Sequence, residues 1–223
     1  MGEPHRTYVP AAGHDWLLPL YDPLVKLLGG DSARRRLLEQ AALQPGHRVL
    51  DIGCGTGTLV TLIKRLHPDV DVVGLDPDPK ALARARRKAE RAGLSIQFNQ
   101  GFSDELPYAE ASFDRVFSSF MLHHLEAIEK ENTLREVRRV LKPGGSLHLL
   151  DFATSESTGA GILTRWLHSS VRLKDNAEQN IANLISHTGF ELPAGVGRGS
   201  MLFMHTAYYQ ASVPLAVARS KSA

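Results

Sequence analysis

The stretch His47–Gly57, H-R-V-L-D-I-G-C-G-T-G, decides how this chain is read. Val49, Leu50 and Ile52 form a short apolar run of the kind found in a strand buried on both faces of a parallel sheet. Gly53, Gly55 and Gly57, at alternate positions, then turn the chain, and Thr58 to Leu66 resumes at helical spacing. Glycine suits such a turn because the backbone bends sharply and meets a ligand with no Cβ in the way. A second apolar run, Val70 to Leu75, ends in Asp76, nineteen residues after Gly57. In a strand–turn–helix–strand unit that carboxylate lands at the C-terminal edge of the sheet, where open α/β sheets bind ligands. An acid there suits the two hydroxyl donors of a ribose, so the stretch predicts a nucleoside-cofactor site.

The spacing bears on which cofactor. The dinucleotide fingerprint is G-x-G-x-x-G, with pyrophosphate on the helix N-terminus. Here the third glycine comes one residue early. Asp51 would also set a negative charge where a pyrophosphate must lie, whereas it suits a cationic amino group. The pattern D-x-G-x-G-x-G with a later acid resembles motif I of the class I S-adenosylmethionine-dependent methyltransferases. A nicotinamide-dependent oxidoreductase stays as an alternative, disfavoured by the glycine spacing and Asp51. A module that binds S-adenosylmethionine without turnover is the other.

The chain's 223 residues fit one domain with a substantial core. With 43% hydrophobic and 22% charged residues, the composition is that of a soluble globular protein. No apolar run approaches a membrane span, and the first residues lack the apolar core of a signal peptide, so the cytoplasm is the expected location. The single cysteine, Cys54, excludes an intrachain disulfide and a multi-cysteine metal site. No metal is expected. A net charge of +2 is too small to imply nucleic acid. The basic groups Arg34–Arg36 and Arg84–Arg91 fall in helical patterns and read as solvated faces. A membrane surface is not expected as a partner, and the oligomeric state is left open.

Along the chain, two helices are expected before the first strand, over 15–28 and 32–43, in an N-terminal cover spanning 1–46. A core over 47–212 follows, then a frayed tail over 213–223. Asp78 and Pro79 read as N-cap and first residue of a helix over 80–92, stopped by Gly93. Strands are expected over 95–99, 113–118 and 146–152, and helices over 131–140 and 177–188. Two antiparallel strands split near Gly199–Ser200 complete the reading. Residues 153–176 combine a polar, glycine-containing start with apolar helical spacing, which fits a packing helix, a substrate lid or a membrane-surface contact edged by Arg165, Arg172 and Lys174.

The motifs S-F-D-R-V, H-H-L and L-R-E-V-R-R-V-L-K-P-G-G-S-L, in that order after the glycine loop, carry the resemblance across residues 47–152. The nearest likeness is to the quinone-biosynthesis-like group of small-molecule methyltransferases. The resemblance implies a Rossmann-like α/β fold: a seven-stranded, mostly parallel sheet with helices on both faces and an antiparallel last strand. It implies S-adenosyl-L-methionine as cofactor and a small-molecule acceptor. Asp51 would meet the methionine amino group. Gly53, Cys54, Gly55 and Gly57 would allow backbone approach, Asp76 would hold the ribose, and Pro77 would face the adenine. Ser118 and Ser119 would lie near the reactive end, and Tyr21 would line the cover. Where the family has an adenine-binding Asp in G-D-A-x-x-L-P, this chain has Phe102, so Phe102 and Ser103 are the expected adenine contacts. Transfer of a methyl group needs alignment and exclusion of water more than an enzyme nucleophile. His123, His124 and Tyr21 are the candidates for a catalytic role; the histidines could act as base on an acidic acceptor or serve as helix-start and packing residues.

Overall fold

The computed structural model describes residues 29–153, 178–191, 197–201 and 204–215. The expected helix over 15–28, Tyr21, nearly all of the possible lid and most of the tail lie outside them. Within them the order is α1 (Gly30–Glu39), β1 (Arg48–Ile52), α2 (Thr58–Leu66), β2 (Asp71–Asp76), α3 (Pro79–Arg91), β3 (Gln97–Gln100), β4 (Phe113–Ser119), α4 (Ala127–Val140), β5 (Leu141–Phe152), α5 (Glu178–His187), β6 (Gly197–Met201) and β7 (Met204–Ser212). A short 3-10 turn, Leu122–His124, follows β4.

The seven strands form one sheet in the order β3-β2-β1-β4-β5-β7-β6. The first five run parallel; β7 is antiparallel to both β5 and β6. The strand order reverses beside β1, and the crevice there is where such sheets receive ligands.

Successive side chains of a strand point to opposite faces, and β1 is apolar on both. Leu50 and Ile52 pack with Val73, Leu75, Val116 and Leu147 under α4 and α5, through Leu134, Val137, Ile181 and Ile185. Val49 packs on the other face with Val72, Phe117 and Leu150, under Leu37 of α1, Leu59 and Ile63 of α2 and Leu82 of α3. Each such side chain contributes about 1.5–3 kcal/mol by leaving water. This two-sided burial is why the run lacked the polar alternation of an exposed sheet.

Several boundaries differ from the sequence expectation. The helix expected over 32–43 is α1, which starts after Gly29 in a left-handed conformation and ends before Ala42, which is also left-handed (φ 46°). The helix expected from Glu131 begins a turn earlier, because Glu126 and Glu129 make a reciprocal capping box. Glutamate is an uncommon N-cap, so this start carried little signal. The strand expected from Ser146 starts at Leu141: Phe113 pairs with Leu141 but Arg115 with Ser146, so β5 absorbs Lys142–Gly145 in an irregular bulge. The strand expected over 95–99 is displaced to Gln97–Gln100. The break placed near Gly199–Ser200 falls after Met201 instead. The Asp78 cap on α3 is as expected: its carboxylate accepts from Lys80 N–H at 2.8 Å.

Candidate functional site

The three loop glycines all adopt left-handed conformations, but for different reasons. A Cβ on Gly53 would lie 2.2 Å from Met121 Cγ, and one on Gly57 would lie 2.8 Å from Ala85 Cβ. Packing forbids a side chain at both. At Gly55 (φ 53°) a Cβ would meet nothing within 4 Å among the described residues, so no described side chain blocks a ligand from the backbone there. Met121 also ties the segment after β4 to the loop after β1. The two halves of the site are in contact.

Asp51 sits near the end of β1 with 1% exposure, and neither carboxylate oxygen has a hydrogen-bond partner. Burial raises its pKa to about 8, against the pull of the nearby Arg34 charge. A buried carboxyl with both oxygens unsatisfied is costly, and an ammonium group placed beside it would relieve that cost. The residues present therefore fit the amino group of S-adenosylmethionine.

Asp76 ends β2. One oxygen accepts from Gly55 N–H at 2.8 Å and the other from Asp78 N–H at 2.9 Å. The acid expected to hold a ribose therefore also shapes the glycine loop. Burial lifts its pKa to about 6, with these two hydrogen bonds working the other way. Each oxygen retains a lone pair for a further donor. Pro77 follows directly, and its carbonyl accepts from Gln100 Nε2 at 3.2 Å. Gln100, at the end of β3, thus joins the rim on the side assigned to adenine. Phe102 and Ser103 follow it, half-buried, and Ser103 Oγ lies 2.9 Å from Thr133 Oγ1 of α4.

At the end of β4, Ser118 is fully buried with an unpartnered hydroxyl, and Ser119 is half-buried. Phe120 takes a left-handed conformation (φ 57°), rare for a bulky residue. It redirects the chain into Met121 and the two histidines. His123 is not a packing residue alone: its Nδ1 lies 2.6 Å from Asp151 Oδ1, and its backbone N–H donates to Asp151 Oδ2 at 2.9 Å. Asp151 is 2% exposed. Burial works to raise its carboxyl, but the His123 charge, the ring hydrogen bond and the N–H groups of Phe152 and His123 together hold it below its ordinary value. An ionised Asp151 accepts the Nδ1 proton, which leaves Nε2 as the basic nitrogen. The His124 ring lies 4.0 Å from that of His123, centroid to centroid. Burial and its neighbour push its pKa down to about 4, so it is neutral at ordinary pH. The two histidines thus have separate environments.

Two residues of this region escaped the sequence reading. Asp151 closes a buried strand just as Asp76 does, and the same rule would have found it. Arg34 was read as part of a solvated face, yet it is 6% exposed. Gly30, Ala33, Arg34, Leu37 and Leu38 are the buried positions of α1, and their i, i+3, i+4, i+7, i+8 spacing places Arg34 on the inward stripe. Among the described residues no group of acids, histidines or cysteine could hold a metal ion.

Cys54 is buried, and burial followed by the charges of Asp76 and Asp51 pushes its thiol well above the usual range. It is a poor nucleophile there. Its sulfur packs towards Gly74 of β2. Cys54→Ala should keep cofactor affinity and turnover within about threefold and cost about 1 kcal/mol of stability or less, as read by calorimetry and a thermal melt. A hundredfold loss of turnover in the folded variant would put the thiol in the chemistry.

Comparison with known proteins agrees with this geometry. The profile of a family described as "Methyltransferase domain" matches residues 49–145. The chain is 38% identical over 152 residues to a demethylmenaquinone methyltransferase of Thermus thermophilus, across 67% of this chain and 68% of that one. It is 38% identical over 119 residues to a 27-O-demethylrifamycin SV methyltransferase of Amycolatopsis mediterranei, across 52% of this chain but 43% of that longer one. The solved structure of a SAM-dependent methyltransferase from Aquifex aeolicus superposes with a TM-score of 0.66 at 19% identity, covering 81% of this chain and 89% of that one, which supports the fold. With motif order, sheet order and relatives in agreement, this chain belongs to the class I S-adenosylmethionine-dependent methyltransferases, in their quinone-biosynthesis-like group.

Proposed function

We propose that this methyltransferase acts on a small molecule through an ionisable hydroxyl, with His123 as the base and Asp151 as its positioning residue. The observation that carries this reading is the 2.6 Å contact between Asp151 and His123 Nδ1 at the C-terminal edge of the sheet. A buried carboxylate that fixes the tautomer of an imidazole leaves the other nitrogen basic and aimed by the fold. A thiol acceptor needs such a base less, because it ionises more readily than a hydroxyl.

When bound, S-adenosylmethionine supplies an electrophilic methyl group on a sulfonium that departs as a neutral thioether. The residues then divide the remaining work. Asp51 receives the cofactor's ammonium group, Asp76 its ribose hydroxyls, and Gly55 gives it backbone room. Pro77, Phe102 and Ser103 would face the adenine, and Ser118 and Ser119 would border the reacting end. His123 Nε2 takes the hydroxyl proton as the acceptor oxygen bonds to the methyl carbon and the carbon–sulfur bond breaks. If the nucleophile is instead a ring carbon activated by that hydroxyl, His123 takes the hydroxyl proton as that carbon bonds to the methyl carbon and the carbon–sulfur bond breaks. The ring carbon then releases its own proton to solvent, and the oxygen regains a proton from His123. Of the two relatives, one is named for demethylmenaquinone and the other for 27-O-demethylrifamycin SV, and the second name specifies an oxygen as the atom methylated, which supports a hydroxyl acceptor. In water-excluded surroundings, proton removal by a placed base contributes roughly 10²–10⁴ in rate.

The test is a screen with methyl-labelled S-adenosylmethionine against 1,4-dihydroxynaphthalenes, simple phenols and alcohols, primary amines and thiols, read by mass spectrometry. Methylated product is expected from the hydroxyl-bearing set. Methylation of amines or thiols alone would overturn the hydroxyl reading, and no product from any class would favour a binding module. Calorimetric binding of NAD but not of S-adenosylmethionine would overturn the cofactor assignment.

A further inference from the structure

Strand parity puts Asp51 on the same face of the sheet as Val49, the face covered by α1 and α2. Arg34 comes from α1 on that face. Its guanidinium carbon lies 5.5 Å from the centre of the Phe120 ring, and its Nε is buried without a hydrogen-bond partner. Asp51 has both oxygens in the same condition, so the two side chains do not hydrogen-bond to each other. They are nevertheless close enough for the Arg34 charge to act on the Asp51 carboxyl.

A guanidinium with an unpartnered Nε and a carboxyl with both oxygens unpartnered, each nine-tenths buried or more, make an unusual pair. Burying either costs a great deal unless something compensates it. The obvious compensation is a direct ion pair, and it is not made. The arrangement is complementary to a ligand group that carries both signs a few bonds apart. An α-amino acid end is such a group, with its ammonium for Asp51 and its carboxylate for the guanidinium. Arginine suits the second task because its planar fork meets a carboxylate with parallel N–H donors. Phe120, whose left-handed backbone turns its ring under Arg34, supports the guanidinium face without consuming an N–H.

We infer that Arg34 binds the α-carboxylate of the cofactor's methionine end while Asp51 binds its ammonium group, so that this pocket reads an amino-acid zwitterion. The inference rests on the S-adenosylmethionine reading and adds a recognition residue to it. It also assigns a purpose to the single arginine of the Arg34–Arg36 group that faces inward.

Isothermal calorimetry with four ligands tests it: S-adenosylmethionine; its demethylated product, S-adenosylhomocysteine; decarboxylated S-adenosylmethionine, which keeps the amine; and 5′-methylthioadenosine, which lacks both charged groups. The wild type should bind decarboxylated S-adenosylmethionine at least tenfold more weakly than the intact cofactor. Arg34→Gln should weaken S-adenosylmethionine and S-adenosylhomocysteine at least tenfold and leave the decarboxylated ligand and 5′-methylthioadenosine within about twofold. Arg34→Lys should recover part of the loss, and Asp51→Asn should weaken both amine-bearing sulfonium ligands. A thermal melt of each variant reports folding. Equal weakening of all four ligands by Arg34→Gln would make Arg34 a packing residue and overturn the proposal. So would equal wild-type affinity for the intact and decarboxylated cofactors, or closure of a direct Arg34–Asp51 ion pair seen in a ligand-bound crystal structure. Failure of the wild type to bind any adenosyl ligand is a different result: it would sink the cofactor reading, and this proposal with it.

Discussion

Asp76→Ala should lower the affinity for S-adenosylhomocysteine by about a hundredfold or more. In the proposed reading the carboxylate accepts from the ribose hydroxyls, and hydrogen bonds to a charged group are worth about 1.5–3 kcal/mol each. The structure adds a second loss, because the same oxygens accept from Gly55 and Asp78 N–H. Alanine leaves both donors without their partner and lets the glycine loop drift from the shape that leaves Gly55 open. Asp76→Asn, which keeps one carbonyl acceptor, should lose less. The wild-type affinity should also fall as pH drops through about 6, where Asp76 takes up a proton and one acceptor oxygen becomes a donor. Calorimetry across pH 5–8, with a melt to confirm folding, measures all three effects. Unchanged affinity in folded Asp76→Ala would remove this residue from the site.

His123→Ala should reduce kcat on a hydroxyl acceptor by roughly 10²–10⁴ while leaving cofactor affinity nearly unchanged. Asp151→Asn should slow the reaction less, because the amide still accepts from Nδ1–H but carries no charge to stabilise the imidazolium. Nitrogen NMR should report the Nδ1–H tautomer of His123 in the wild type and a mixture in Asp151→Asn, a readout that a purely structural pair would not link to the rate. His124→Ala is the control: a ring with a pKa near 4 exchanges no proton at neutral pH, so turnover should stay within about threefold. Equal losses from His123→Ala and His124→Ala would return the histidines to packing.

The contrast between these residues shows what could be read without coordinates. Asp51, the three glycines and Asp76 were legible because local rules place them. A strand buried on both faces must be apolar, a tight turn needs glycine, and an acid closing the second strand must reach the sheet edge. The seven strands and the antiparallel last strand followed from the likeness to a known family, whereas the order of the strands in the sheet came from the structure. Boundaries were legible where capping was conventional, as at Asp78, and were displaced where it was not, as at Glu126. They were also displaced where pairing with a neighbour decided the end, as for Leu141 against Phe113.

The chemistry between distant segments needed the fold. No spacing rule joins His123 to Asp151 across 28 residues; their contact exists because β4 and β5 are neighbours whose C-terminal ends lie side by side. Nor does the sequence pair Arg34 with Asp51. The first belongs to a helix and the second to a strand, and only the packing of α1 onto one face of β1 brings their charges together. The sequence by itself determined the glycine loop and the acid that closes the second strand, since these depend on residues close along the chain, and the family likeness supplied the sheet and the kind of cofactor. The tertiary structure alone decided which acid meets which histidine and which carboxyl lies within reach of the Arg34 charge, since proximity is a property of the packed chain.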